Sequence, residues 1–100
     1  MNRIRFEWDE TKAEGNFVKH DGITFEEATS VFDDENAILF DDPDHSTEED
    51  RFILLGMSYY ANLLIVCHCY RGENDVIRII SARKATKREA MQYVEITEGW

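Results

Sequence analysis

The chain has 100 residues, of which 43% are hydrophobic, and a formal net charge of −10 at pH 7. That is enough apolar material for one compact domain over residues 1–100 and too little for two. Such acidity excludes general coating of nucleic acid, whose affinity comes from counterion release by Lys and Arg, but it leaves room for a local basic pocket.

The charge is uneven. Residues 1–50 hold sixteen acids and four bases, whereas residues 51–100 hold five acids and seven bases. The two halves are expected to form different surfaces, the acidic one suited to a basic protein partner. No apolar run reaches the length of a signal peptide or of a membrane span, so the sequence reads as cytoplasmic.

Residues 3–8 read as a short strand. Asp9 is a good N-cap for a helix running to about His20, with Gly22 as its stop, and Ala13, Asn16, Phe17 and His20 share one face of it. Thr24-Phe25-Glu26-Glu27 has the pattern of a capping box and opens a second helix to about Phe32, striped by Phe25, Ala28, Val31 and Phe32.

From Asn36 the period changes to that of strands. Residues 37–40, 51–57, 63–70 and 76–83 are predicted strands, and four in succession suggest an antiparallel meander. An acidic loop carrying His45 separates the first two. The strand at Leu63 is apolar on both sides and therefore central, with Leu63, Ile65, Cys67 and Cys69 on one face and Leu64, Val66, His68 and Tyr70 on the other. If helices cover only one face of the sheet, the other is expected to hold a partner or a concave site, with His68 on it.

Thr86-Lys87-Arg88-Glu89 is another capping box and starts a third helix ending near Thr97. The expected fold is therefore a single α+β domain of order β-α-α-β-β-β-β-α, with a mainly antiparallel sheet packed by helices.

The chemistry is concentrated in a few residues. Five of the eleven Lys and Arg residues lie between Arg78 and Glu89, a grouping that suits an anion. Cys67 and Cys69 point away from His68, so the three cannot converge on a metal, and neither a phosphate-binding glycine loop nor a nucleophile elbow is present. Neither a cofactor nor a metal is expected.

What remains is His20, His45 and His68 with Arg51, Arg78, Arg83 and Lys84. That set suffices for metal-free cleavage of RNA, which needs one group to take the ribose 2′-OH proton, one to protonate the leaving 5′-oxygen, and a cation for the charge building on phosphorus. Each residue also has a structural reading. His68 suits a hydrogen-bonded core position, Arg78 an ion pair with an acid of the first half, Arg83 an anchor for the strand end, and His45 a surface loop. In a regular strand Arg78 and Arg83 face opposite ways, so they share a site only across a bulge, a twist or a strand end.

Several ordered blocks resemble the BrnT family of bacterial type II toxins. They are Phe6-Glu7-Trp8-Asp9 with Lys12, Asn16, Lys19 and His20, then Phe25-Glu26-Glu27-Ala28, Asp42-Pro43-Asp44-His45-Ser46, Arg51-Phe52-Ile53-Leu54-Leu55-Gly56, His68, and Arg78 to Glu89. The resemblance implies a RelE-like fold, an RNA substrate, growth arrest by the free protein, and neutralisation by a BrnA-like ribbon-helix-helix antitoxin whose complex, not this chain alone, binds operator DNA. It places His68, Arg78 and Arg83, then His20, His45 and Arg51, on the active surface. Asp21 before Gly22 departs from the family pattern. The competing expectation is a non-catalytic interaction module that only binds a basic DNA-binding partner.

Overall fold

Each helix begins where a side chain replaces the missing backbone partners of its first turn. The Asp9 carboxylate accepts from the amides of Thr11 and Lys12, Thr24 Oγ1 accepts from the Glu27 amide, and Thr86 with Glu89 forms a complete capping box. Thr24 starts its helix without one. The Glu27 carboxylate is buried and accepts instead from Ser58 Oγ (2.6 Å) and Asn62 Nδ2 (2.8 Å), tying this helix to a distant turn.

The computed structural model describes residues 4–42 and 50–98. Strand β1 (Arg5–Glu7) leads to helix α1 (Glu10–Lys19), helix α2 (Phe25–Ser30) and a 3₁₀ turn at Val31–Asp33. Strands β2 (Ile38–Asp41), β3 (Arg51–Met57), β4 (Leu63–Arg71) and β5 (Val76–Lys84) follow, and helix α3 (Lys87–Thr97) comes last. This is the expected α+β order. The strands form one sheet, β1-β5-β4-β3-β2, in which β2 to β5 make an antiparallel meander and β1 lies parallel beside β5.

The main core lies between α1, α2 and one face of the sheet, where Ile23, Phe25, Ala28 and Val31 pack on Leu54, Leu64, Val66, Ile77, Ile79 and Ala82. A smaller core lies on the other face, where Tyr93 of α3 packs on Leu55 and Ile65. Helices thus cover both faces, one largely and one in part. The condition under which the second face would stand open is therefore met only in part.

One extra residue in β5 divides these cores. Cys67 pairs with Ser81 and His68 with Ile79, which leaves Ile80 as a bulge. Ile77, Ile79 and Ala82 therefore all face α1 and α2, and Arg78 and Arg83 both face the other way.

Two close approaches hold the layers. Gly56 of β3 passes so near the chain after the 3₁₀ turn that an added Cβ would lie 2.8 Å from Val31 Cγ1 and 2.9 Å from the Ala37 Cβ, so only glycine fits. Asn16 of α1, buried, closes the free edge of β5 beyond β1. Its Oδ1 accepts from the Ala82 amide (3.0 Å), while Nδ2 donates to the carbonyls of Ala82 (2.8 Å) and Ile23 (3.2 Å).

Replacing Asn16 with Ala orphans the two buried backbone groups of Ala82, so Asn16→Ala is expected to lower stability by about 2–4 kcal/mol. Urea unfolding measures it, with a lower midpoint and an unchanged slope.

Candidate functional site

The register of β3, β4 and β5 brings three of the six candidate residues to one face. Arg51 lies opposite Cys69, Arg78 lies opposite Cys69 on its other side, and Arg83 lies opposite Ile65. Arg71, and Arg5 of β1 opposite Val76, fall on the same face. A chain of net charge −10 thus gathers five of its seven arginines on one side of its sheet. Arg51, Arg71 and Arg78 stand together at the end where β3 begins and β4 ends.

Carboxylates temper these charges. Arg78 Nη1 donates to Glu7 Oε2 at 2.7 Å, and Arg71 Nε approaches the same oxygen at 3.8 Å. Arg83 meets Glu89 with both arms of its fork, at 2.8 and 2.9 Å. That bidentate contact and the Thr86 amide hold the Glu89 carboxyl far below the usual carboxylate range, at about 2. Arg83 therefore fastens α3 to β5. Arg78, half-buried and sharing a single acid with Arg71, keeps more of its donors available.

Cys67 lies beside this cluster. Burial, reinforced by the Asp42 carboxylate and opposed by Arg51, pushes its thiol up to about 11, so the sulfur keeps its proton and faces Asp42 Oδ2 at 3.8 Å. Protonated at neutral pH, it is not a nucleophile.

His68 is not part of this face. It is 0% exposed on the side covered by α1 and α2, so the sheet itself separates it from Arg78 and Arg83. The structure therefore brings Arg78 and Arg83 to one face and does not bring His68 to it. The ring sits among Phe32 (4.9 Å), Tyr70 (5.3 Å) and Phe52 (6.2 Å between centroids). Nδ1 lies 3.1 Å from the Val66 carbonyl, which can only accept, so Nδ1 carries the proton and Nε2 presents a lone pair. Burial pulls the pKa of His68 below its ordinary value and keeps the ring neutral.

His20 caps the end of α1, half-buried, and the extra Asp21 is absorbed by a left-handed turn with φ 54° at Asp21 and 78° at Gly22. It belongs to the side covered by α1 and α2. His45 lies outside the described residues. Among the described residues no group of His, Cys, Asp and Glu is arranged to hold a metal, and no helix is long and apolar enough to cross a membrane.

A family model for the "ribonuclease toxin, BrnT, of type II toxin-antitoxin system" matches residues 8–89. The chain belongs to the BrnT family. Among solved structures it is similar to the Brucella abortus ribonuclease toxin BrnT, with a TM-score of 0.63 and 24% identity over 84% of this chain and 99% of that one. That likeness is one of fold. Comparison with curated proteins finds no match.

BrnT proteins are ribonuclease toxins of type II toxin-antitoxin systems, so this chain is an endoribonuclease by family, with an antitoxin as its partner. Sequence reasoning missed the partner of Arg83, although Glu89 stands in the same capping box. It also missed the role of Asn16, for which a polar residue on the inner face of a helix is the available signal.

His68 sets a pH dependence. Its folded pKa lies below the unfolded one, so the unfolded chain binds the proton more readily. Its contribution is fully present above pH about 6.5 and is lost as pH falls through the folded pKa, by at most about 1.4 kcal/mol per pH unit. Thermal or urea unfolding between pH 7.5 and 5 is expected to show this loss in the parent and a smaller one in His68→Phe.

Proposed function

We propose that this BrnT-family chain cleaves RNA without a metal, holding the scissile phosphate on the arginine face. The observation that carries the reading is the register that pairs both Arg51 and Arg78 with Cys69, which sets them with Arg71 on one side of the sheet. In the reaction a base removes the 2′-OH proton, the 2′-oxygen bonds to phosphorus, the P–O5′ bond breaks, and an acid returns a proton to the 5′-oxygen.

Arg78 and Arg51 donate to the non-bridging oxygens, whose charge grows in the transition state. Arg83 acts through Glu89 by positioning α3. His45, carried between Asp42 and Asp50 in a sequence block of the family, is assigned the proton transfer, while His68 is structural and His20 lies on the other side. A BrnA-like ribbon-helix-helix antitoxin, basic and so complementary to the acidic surface, silences the enzyme and supplies the contact with operator DNA.

One observation favours a second reading, a non-catalytic module that only binds the antitoxin. Arg78 and Arg83 are both engaged by carboxylates of this chain, which weakens their pull on a phosphate.

Incubating the antitoxin-free chain with RNA in excess chelator separates the two. Cleavage is expected to persist, to fall by roughly 10²–10³ in Arg78→Ala with thermal unfolding unchanged, to fall similarly in His45→Gln, and to survive in His68→Phe. Intact RNA with the parent chain selects the interaction module, and full activity in Arg78→Ala removes that residue from the site.

A further inference from the structure

A cleft of about 500 Å³ opens at the end of the sheet where β3 begins and β4 ends, lined by Asp50, Phe52, Tyr70 and Asn74. It lies on the side of His68, around the sheet end from Arg51 and Arg71, and none of the chemistry above uses it. Phe52 and Tyr70 are half-buried and meet at 5.4 Å with their planes 60° apart. Two rings so tilted offer a flat ligand one face to stack on and one edge to lean against.

The floor is stiff. Beneath it the neutral ring of His68 packs edge-on to Tyr70 and is pinned by its bond to Val66. The rim is polar and solvent-facing. Asp50 supplies a carboxylate, and Asn74, held in the left-handed region at φ 69° in the β4–β5 turn, supplies an amide. An aromatic floor with a carboxylate at its edge is the arrangement by which proteins read an unpaired base, stacking its plane and bonding its pairing edge.

The carboxylate selects among the bases. Its two oxygens only accept, and so need two adjacent N–H donors in one plane. Guanine presents N1–H beside the N2 amino group. Adenine and cytosine place an acceptor nitrogen next to their single amino group, and uracil flanks its one N–H with two carbonyls, so each sets a lone pair against the carboxylate.

We propose that the Asp50, Phe52, Tyr70 and Asn74 cleft binds an unpaired guanine base, with Tyr70 and Phe52 as the stacking surface and Asp50 as the acceptor of N1–H and N2–H. As a substrate-reading subsite this rests on the ribonuclease reading, and the geometry suits it. Along β3 and β4 a ring and a guanidinium alternate, Phe52 after Arg51 and Tyr70 before Arg71, so RNA passing the sheet end meets stacking on one side and cations on the other.

The test is binding of the four free nucleosides to the whole chain, followed by NMR signals of the Phe52 and Tyr70 rings, because neutral nucleosides avoid repulsion by the acidic first half. Guanosine is expected to saturate the shifts at least tenfold more tightly than adenosine, cytidine or uridine. Asp50→Asn, at an exposed position that leaves the fold intact, is expected to abolish that preference, and Tyr70→Leu to weaken all binding by about tenfold.

Equal affinity for the four nucleosides, or a guanosine preference that survives Asp50→Asn, overturns the proposal. The readout does not depend on cleavage. Guanosine binding by a chain that leaves RNA intact sustains the subsite and removes the ribonuclease reading, whereas cleavage without guanosine binding does the reverse.

Discussion

Strand β5 has to serve two faces with incompatible needs, and the extra residue Ile80 lets it do so. Before the bulge, Ile77 and Ile79 face the main core and Arg78 faces away. After it, Ala82 faces the core and Arg83 faces away. Strict alternation continued from Ile79 would instead turn Ser81 and Arg83 beneath α1 and α2 and expose Ala82. A guanidinium buried there without an acid would cost several kcal/mol, more than one hydrophobic contact can offset. Much else depends on this single step, including the docking of Asn16 on Ala82, the anchoring of α3 through Arg83, and the place of Arg83 on the face that Arg51, Arg71 and Arg78 already share.

On the proposed reading, that grouping lets an acidic protein hold a phosphate. The chain as a whole repels polyanions, but Arg51, Arg71 and Arg78 stand together on one face of the sheet. Glu7 and Glu89 hold the guanidiniums in defined directions, at the expense of some positive potential. The two structural pairs are not equivalent. Arg83 with Glu89 is a closed bidentate unit inside a helix cap, whereas Arg78 with Glu7 is a single short bond beside a second cation.

Much of this was legible in the sequence for local reasons. Caps at Asp9, Thr24 and Thr86 and the change from helical to alternating periodicity marked the three helices and the strands in order, though not the 3₁₀ turn at Val31–Asp33, and the two-sided apolarity of β4 marked it as central. The family blocks pointed to the ribonuclease toxins. Long-range choices were less legible. Alternation correctly set His68 apart from Cys67 and Cys69, but nothing local said which of the two faces α1 and α2 would cover. Glu27 had the spacing of a capping box, yet Ser58 and Asn62, more than thirty residues away, offered its carboxylate better donors. The bulge was visible only as the condition under which Arg78 and Arg83 could share a face, since no residue type at position 80 requires it.

Whether RNA phosphate lies on the arginine face is read from a chemical-shift map with an RNA that cannot react. A short oligoribonucleotide methylated at every 2′-oxygen keeps its phosphates and lacks the attacking hydroxyl. Saturable shifts of the Arg51 and Arg78 side-chain N–H signals and of the Cys69 and Ser81 amides are expected, weakening as salt rises. Saturation that leaves those four signals unmoved while residues of the outer side of α3 shift would contradict that placement.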